Sequence, residues 1–308
     1  MKKVEVDNKE KDNQPYQPKK KTFSYKFWYK VVKSLYAKRE FLGMENVPEE
    51  ASIYVGNHAQ MNGPLVAELY FPLKHLTWMV GEVANRKEFP AYAMKDFWPY
   101  KPKSVRWFYN MAAHMLAPLA EWLFSCADVI HLYRDHRIFT TCKTTIKCLN
   151  EGYNIIIFPE CNDEYNHIVN DFESNYIDLA KMYYNRYKKI LKFVPMYNAA
   201  KLQKVVFGKP IAYDPNVPIE EQRNTINTYL KEEITRLAEE LPVHEVITYN
   251  NFGKSHYPKN KPELNTYEQN HPGQVAPKDA TASNQVGEAE ANTESQESNA
   301  TTNEAKDE

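Results

Sequence analysis

The chain has 308 residues, of which 43% are hydrophobic and 26% are charged, so an ordinary globular core of one large or two small domains is possible. Its net charge is −1, but residues 261–308 contain three Lys and ten Asp or Glu, which leaves +6 on residues 1–260. The first 21 residues are polar and Lys-rich, which argues against a signal peptide, and no run of 18 apolar residues predicts a membrane span. No CxxC pair occurs, which favours free thiols in a reducing compartment, at Cys126, Cys142, Cys148 and Cys161.

The N-terminal region predicts a disordered basic segment, 1–22, followed by a basic amphipathic helix over 23–38. At helical spacing, apolar residues share one side of this helix and lysines the other: Trp28, Val31, Val32 and Leu35 against Lys26, Lys30 and Lys33. Such a helix is typical of anionic membrane surfaces, although a helix packed on the domain with a solvated Lys face has the same pattern.

The middle of the chain alternates strand and helix patterns, which predicts an α/β domain over 23–255. Its sheet is expected to be mixed, mostly parallel and covered by helices. The strand candidates are Ile53–Val55, Asp128–Tyr133, Asn154–Phe158, Leu191–Tyr197 and Lys204–Phe207. The helix candidates are Pro64–Phe71, Ile138–Glu151, Phe172–Lys189 and Pro218–Leu241. Residues 256–308 predict a disordered acidic tail.

Two further segments allow more than one interpretation. Residues 76–110 interleave aromatic with basic side chains, as membrane interfaces and single-strand nucleic-acid grooves do, and as a satellite core also can. The absence of an RNA-binding signature favours a hydrophobic lid or groove and no nucleic-acid partner. Residues 111–130 are mostly apolar but interrupted by His114, Pro118, Glu121 and Asp128, which favours a core helix over a membrane-dipping one.

Polar groups follow the ends of several predicted strands. Asn57-His58 follows Ile53–Val55, Arg134 ends the strand that begins near Asp128, and Pro159-Glu160 follows Asn154–Phe158. Because the carboxyl ends of strands in an open α/β sheet share one edge, we expect His58, Arg134 and Glu160 to meet there. A base, a cation and a carboxylate together suit acyl or phosphoryl transfer.

This motif set resembles the glycerolipid acyltransferases, typified by the PlsC-like bacterial lysophosphatidic acid acyltransferases. The resemblance runs from about residue 53 to 213, through Asn57-His58, Arg134, Phe158-Pro159-Glu160 and Val194-Pro195 in family order. It implies that His58 is the general base that deprotonates an acceptor hydroxyl. It also implies a glycerolipid-acyltransferase-like fold, with acceptor-binding roles for the Arg134 and Glu160 motifs.

The first and third motifs depart from the family pattern. Gly63 stands where the family has the Asp that orients the base, and Cys161-Asn162-Asp163 replaces Gly-Thr-Arg. Asn62, next to the missing Asp, is a candidate to orient His58 through its amide oxygen, and Glu160 and Asp163 are further candidates from the neighbouring strand end. Asp163 is also expected to disfavour an anionic acceptor. The expected catalytic residues are therefore His58, Asn62 and Glu160, with substrate-binding residues Asn57, Arg134, Phe158, Pro159 and Pro195.

The expected function is transfer of a fatty acyl group from acyl-CoA or acyl carrier protein to a hydroxyl of a lysolipid or lipid-like acceptor. The expected partners are the acyl thioester, the lipid acceptor and the inner face of a membrane, with no metal and no cofactor besides the co-substrate. The alternative is a catalytically weakened relative that binds lipid or acyl-CoA. Glu164-x-x-His167 is interpreted as a solvated helix start, and Cys161 as an ordinary buried thiol.

Overall fold

The computed structural model describes residues 15–98, 101–249 and 257–270. The remaining parts of the segments expected to be disordered, 1–14 and 271–308, lie outside these residues. The backbone of Asn162 and Asp163 is described but their side chains are not, so the expected effect of Asp163 on an anionic acceptor lies outside the description.

An eight-stranded mixed sheet forms the centre of the molecule, in the order β1-β9-β8-β2-β5-β3-β4, with β10 paired to β8. The strands are β1 (Glu40–Leu42), β2 (Ile53–Gly56), β3 (His75–Val80), β4 (Val129–Leu132), β5 (Asn154–Ile157), β8 (Lys192–Ala199), β9 (Lys204–Phe207) and β10 (Ile211–Ala212). Most neighbours are parallel; β8 pairs antiparallel with β9 and β10. A separate hairpin joins β6 (Glu160–Tyr165) to β7 (Asn170–Phe172). The predicted mixed, mostly parallel α/β sheet is confirmed.

Helices cover both faces of the sheet. They are α1 (Phe23–Leu35), α2 (Asn62–Tyr70), α3 (Phe89–Tyr92), α4 (Arg106–Cys126), α5 (Ile138–Asn150), α6 (Asp178–Tyr187), α7 (Ile219–Glu240) and α8 (Tyr267–Asn270). Because side chains alternate along a strand, Ile53 and Val55 pack in the core that α5, α6 and α7 complete, whereas Tyr54 packs on the other side against α2. A smaller cluster joins α3 to α4.

The strands and helices that the sequence predicts are present near their expected positions, but the prediction was incomplete. Five strands were missed: β1, β3, β6, β7 and β10. Of these, β3 lies between β5 and β4 in the main sheet. The helix expected over Phe172–Lys189 begins only at Asp178, because Phe172 still belongs to β7. The expected helix start at Glu164-x-x-His167 is wrong, since Glu164 lies in β6 and His167 occupies a left-handed turn with φ of 70°.

Packed residues extend beyond the expected 23–255 domain at both ends. Before α1, the backbone N–H of Tyr16 donates to the Glu151 carboxylate over 2.8 Å. After residue 255, Asn260 is fully buried and its amide donates to the carbonyl of Ala238 over 2.8 Å. None of the helices in the described residues is long and apolar enough to cross a membrane.

Candidate active site at the carboxyl ends of β2 and β5

The loop between β2 and α2 presents His58. Two consecutive non-glycine residues, Ala59 and Gln60, have left-handed backbone conformations with φ of 44° and 56°. This tight reversal brings the main-chain carbonyl of Gln60 onto Nδ1 of His58. A carbonyl oxygen only accepts hydrogen bonds, so in the neutral imidazole Nδ1 carries the proton and Nε2 is left as the basic nitrogen.

Aromatic rings surround the imidazole of His58. The Phe158 ring, just after β5, lies edge-on with its centroid 5.5 Å away, and the Tyr249 ring lies at 5.6 Å. Burial among these groups lowers the pKa of His58 below its usual value, because the charged imidazolium loses solvation. The imidazole is therefore neutral, and able to accept a proton, at neutral pH.

Glu160 holds the backbone of the same loop. Its carboxylate accepts hydrogen bonds from the N–H of His58 and, over 3.1 Å, from the N–H of Asn170 on β7. Burial raises the pKa of Glu160 to about 7, and the two N–H donors oppose that rise. Glu160 thus ties the backbone of the β2 loop to the β6–β7 hairpin.

Gly63 occupies a position where a side chain does not fit. A Cβ built there would lie 2.7 Å from the carbonyl oxygen of His58 and 2.9 Å from that of Asn57. It would also lie 2.8 Å from the Phe158 ring. The contacts with backbone oxygens cannot be relieved by a side-chain rotation. The loop in this conformation therefore has no room for the Asp that the resembling family has at this position.

Asn62 has other partners than the expected one. Its Oδ1 accepts from the hydroxyl of Tyr36 over 2.6 Å, and its Nδ2 donates to the carbonyl of Ala59 over 3.1 Å. The imidazole N–H of His58, which was expected to donate to Asn62, instead donates to the Gln60 carbonyl. Asn62 therefore stabilises the loop through Tyr36 and Ala59, whereas the contact that orients the imidazole comes from Gln60.

Asn57 connects two strands. Its Oδ1 accepts from the N–H of Asn198 over 2.6 Å and its Nδ2 donates to the carbonyl of the same residue over 3.3 Å. Asn57 is buried, so both ends of its amide are used to fasten the end of β2 to β8. Its expected role in substrate binding stays a prediction.

Arg134 lies at the same edge of the sheet but in solvent. Its guanidinium pairs with Glu173 over 2.7 Å, and its side chain is 81% exposed. Burial raises the pKa of the Tyr249 hydroxyl, and the nearby positive charge of Arg134 opposes that rise. Arg134 therefore acts electrostatically on Tyr249, whose ring lies beside His58, from an exposed position at the edge of the sheet.

The remaining expected substrate-binding residues differ in accessibility. Phe158 contacts the imidazole and is partly exposed, whereas Pro159 and Pro195 are buried. The Pro159 carbonyl accepts from the N–H of Glu173, and the Pro195 carbonyl accepts from that of Gly208, both over 2.9 Å. Phe158 is thus the member of this group that packs on the imidazole of His58.

Two other residues singled out in the sequence are accounted for by local contacts. The thiol of Cys161 donates to the carbonyl of Asp171 over 3.2 Å, within the β6–β7 hairpin. His167 pairs with Glu239 on α7 over 2.8 Å. In the part of the chain that is described, no group of three or more His, Cys, Asp or Glu side chains is arranged to hold a metal ion.

Sequence reasoning missed three residues at this site. Gln60 supplies the carbonyl at His58, and its side-chain amide donates to the hydroxyl of Tyr257 over 2.9 Å. Tyr249 packs on the imidazole. The carbonyl of Gln60 carries no residue-type signal. Tyr249 lies at the end of the predicted domain, and Tyr257 lies in the segment 256–308 that was predicted to be a disordered tail.

Comparisons with known proteins find few relatives. No protein-family model matches the chain, and no curated protein matches it in sequence. A solved structure that resembles it is that of the 1-acyl-sn-glycerophosphate (LPA) acyltransferase PlsC from Thermotoga maritima. The two share 18% sequence identity with a TM-score of 0.41, over 71% of this chain and 83% of that one. A likeness this distant identifies neither a reaction nor a substrate, and both must be argued from the residues themselves.

Proposed function

We propose that this protein is an acyltransferase that moves a fatty acyl group from a thioester, acyl-CoA or acyl carrier protein, to a hydroxyl of a lipid or lipid-like acceptor at a membrane surface. The observation that carries the proposal is His58. Its Nδ1 faces the Gln60 carbonyl, its Nε2 is basic, and its pKa is lowered by burial. The motif resemblance from Asn57-His58 to Val194-Pro195 supports the choice of reaction.

In the proposed reaction, Nε2 of His58 takes the proton of the acceptor hydroxyl while that oxygen attacks the thioester carbonyl carbon. The tetrahedral intermediate then collapses with cleavage of the C–S bond. The imidazolium returns the proton to the leaving thiolate, which gives an ester and a free thiol. A positioned general base contributes a factor of roughly 10²–10⁴ to such a step.

Glu160 supports this reaction as a positioning residue. It is buried and accepts from the backbone N–H of His58, so it fixes the backbone that carries the imidazole. Arg134 is proposed to bind an anionic part of donor or acceptor. Its exposed pair with Glu173 is worth about 0–1 kcal/mol, so a phosphate can replace that partner at little cost.

The second candidate is a weakened relative that binds lipid or acyl-CoA without turnover. The observation that favours it is the neutral carbonyl of Gln60 where a carboxylate would stabilise the imidazolium. In the serine-protease triad, where a carboxylate orients the catalytic histidine, replacing that carboxylate by an amide lowers kcat about 10⁴-fold. Gln60 supplies the correct tautomer here, so the expected loss is smaller.

The test gives the purified protein labelled acyl-CoA and a panel of lysolipids, beside His58→Ala and the control His136→Ala, which removes an imidazole exposed near the same sheet edge. We expect an acylated product that falls about 10²-fold or more with His58→Ala and persists with His136→Ala. The binder is supported instead if no acceptor gives product while acyl-CoA binding is saturable and equal in all three proteins.

A further inference from the structure

Helix α4 buries small side chains and exposes large apolar ones, which reverses the usual arrangement of a surface helix. The buried side carries Ala113 and Ala117, which are at most 2% exposed. The large apolar side chains point outward: Trp107, Phe108, Met111, Met115, Leu119 and Leu123. The most exposed on this side is Met115, at 73%. A helix on the surface of a soluble globular protein normally turns its large apolar side chains toward the core.

The small residues on the inner side are explained by close packing. Ala113 and Ala117 belong to the cluster that also contains Val83, Phe89 and Ala93, so α4 lies tightly on the short helices before it. Half of the helix is therefore fixed to the domain. Its other half forms a contiguous apolar stripe, far larger than the isolated apolar residues expected on a soluble surface.

Helix α1 extends this stripe. Tyr25, its buried residue, packs on Trp122 near the end of α4 with ring centroids 6.3 Å apart. The outer side of α1 exposes Phe23, Trp28 and Leu35. We call the exposed apolar residues of the two helices the α1–α4 face.

Positive charges border the α1–α4 face. Residues 15–38 contain seven Lys and no acidic residue, and Lys26 and Lys30 on α1 are exposed. At the other end, Lys101, Lys103 and Arg106 are exposed around the start of α4. A second copy docking through the same face would bring these like charges together, whereas an anionic lipid surface complements them.

We propose that the α1–α4 face seats the protein on the surface of an anionic lipid bilayer, with α4 lying in the membrane plane and its apolar half among the acyl chains. Trp107 and Phe108, beside the basic residues, occupy the headgroup boundary, where aromatic rings are favoured. This deepens the membrane location in the proposed function, but it depends on no catalytic residue.

The experiment measures co-flotation of the full chain with vesicles of phosphatidylcholine alone or mixed with phosphatidylglycerol. The variant Met115→Ser with Leu119→Ser removes two apolar side chains that are 73% and 55% exposed. The matched control is Phe139→Ser, which removes a side chain that is 70% exposed on α5 and does not belong to the α1–α4 face. Circular dichroism confirms that each variant is folded.

We expect binding to the mixed vesicles that weakens with salt, falls at least about tenfold in the double variant, and is unchanged in Phe139→Ser and in His58→Ala. Equal binding by wild type and the double variant overturns the proposal. It is also overturned if the double variant instead turns a dimer into a monomer by sedimentation. Acyl transfer without vesicle binding would leave the proposed reaction standing and remove only this membrane face.

Discussion

At His58, a backbone carbonyl stands where a carboxylate is expected. The Gln60 carbonyl selects the tautomer with Nδ1 protonated, as a carboxylate would, but it brings no negative charge to the imidazolium. Orientation and charge stabilisation are thus separated, and the burial that lowers the pKa of His58 is not offset by a carboxylate on Nδ1. If His58 acts as the base proposed above, this arrangement positions its imidazole without the negative charge that would strengthen it.

Introducing the Asp that the resembling acyltransferases have at this position is not expected to give a stronger base. Gly63→Asp places a Cβ 2.7 Å from the His58 carbonyl oxygen, so the loop must shift. We expect Gly63→Asp and Gly63→Ala to lower the free energy of unfolding by a similar amount, about 1–3 kcal/mol. Urea denaturation of both variants checks this. A gain of activity in Gly63→Asp without loss of stability would show that the loop has room for the carboxylate after all.

Tyr257 is expected to act on the reaction through Gln60. Tyr257→Phe removes the hydroxyl that accepts from the Gln60 side chain, and with it about 1 kcal/mol of loop positioning. We expect kcat to fall roughly fivefold with KM little changed. The control is Tyr229→Phe, which removes a phenol hydrogen bond from α7 to the Lys209 carbonyl. Equal kcat values for the two variants would contradict a positioning role.

Among the elements, the β6–β7 hairpin completes the site through Glu160. Its carboxylate is the hydrogen-bond acceptor that joins the hairpin to the β2 loop. Because burial raises its pKa from 4.5 to about 7, the folded protein binds more protons than the unfolded chain between these values. Stability from this group is therefore greatest at low pH and falls as the pH rises through 7.

The variant Glu160→Gln should remove that pH dependence. The wild type is expected to lose about 3 kcal/mol of unfolding free energy from this carboxyl as the pH rises through its folded pKa. Gln cannot titrate, but its NH₂ leaves one of the two backbone N–H donors unpaired. Urea denaturation at several pH values checks this, with the exposed Glu245→Gln expected to follow the wild-type curve. Parallel curves for wild type and Glu160→Gln would refute the assignment.

The elements that were predictable from the sequence are those with a regular apolar pattern. Asn154–Ile157 is a nearly continuous apolar run and was found. His75–Val80 contains a His, a Thr and a Trp in a region dominated by aromatic residues, and its strand character comes from pairing with β4 and β5. Likewise, polar Glu160–Tyr165 becomes a strand through β7. Long-range pairing supplied what the local pattern lacked.

The site was predictable to the same extent. Strand ends placed His58 and Glu160 together, because topology alone brings parallel strand ends to one edge. Their contacts were not predictable: Asn62 is bonded to Tyr36, from a segment before the sheet, and the Gln60 carbonyl depends on two left-handed residues. Apolar content also failed to distinguish core from exposed surface in α4, since its composition is the same in either orientation.

Over the whole molecule, the end of the described chain is fastened by Asn260. Its amide donates to the carbonyls of Ala238 and Leu241, over 2.8 and 3.2 Å, at the end of α7. Its Oδ1 accepts from the N–H of His244 over 2.9 Å. This residue therefore satisfies helix-end carbonyls and holds the segment that delivers Tyr249 and Tyr257 to the site.

Asn260→Ala should destabilise the whole domain. It leaves buried carbonyls and one buried N–H without a partner, so we expect a loss of about 2–4 kcal/mol, measured by urea denaturation. Asn216→Ala, at an exposed turn, is the control and should change stability by less than about 0.5 kcal/mol. A loss no larger than the control's would mean that the 257–270 segment contributes little to folding.

The position of α4 in the chain has one more consequence. Together with α3 it forms the connection between β3 and β4, which pair directly and in parallel. α1, by contrast, precedes the first described strand and does not connect two strands. A shortened chain can lack α1 and keep every strand of the sheet. Deleting α4 would instead break the connection between β3 and β4, and Arg134 follows β4. If the α1–α4 face binds a membrane as proposed, that binding can be removed without breaking the fold only by replacing the exposed side chains of α4, because the helix itself connects two paired strands of the sheet.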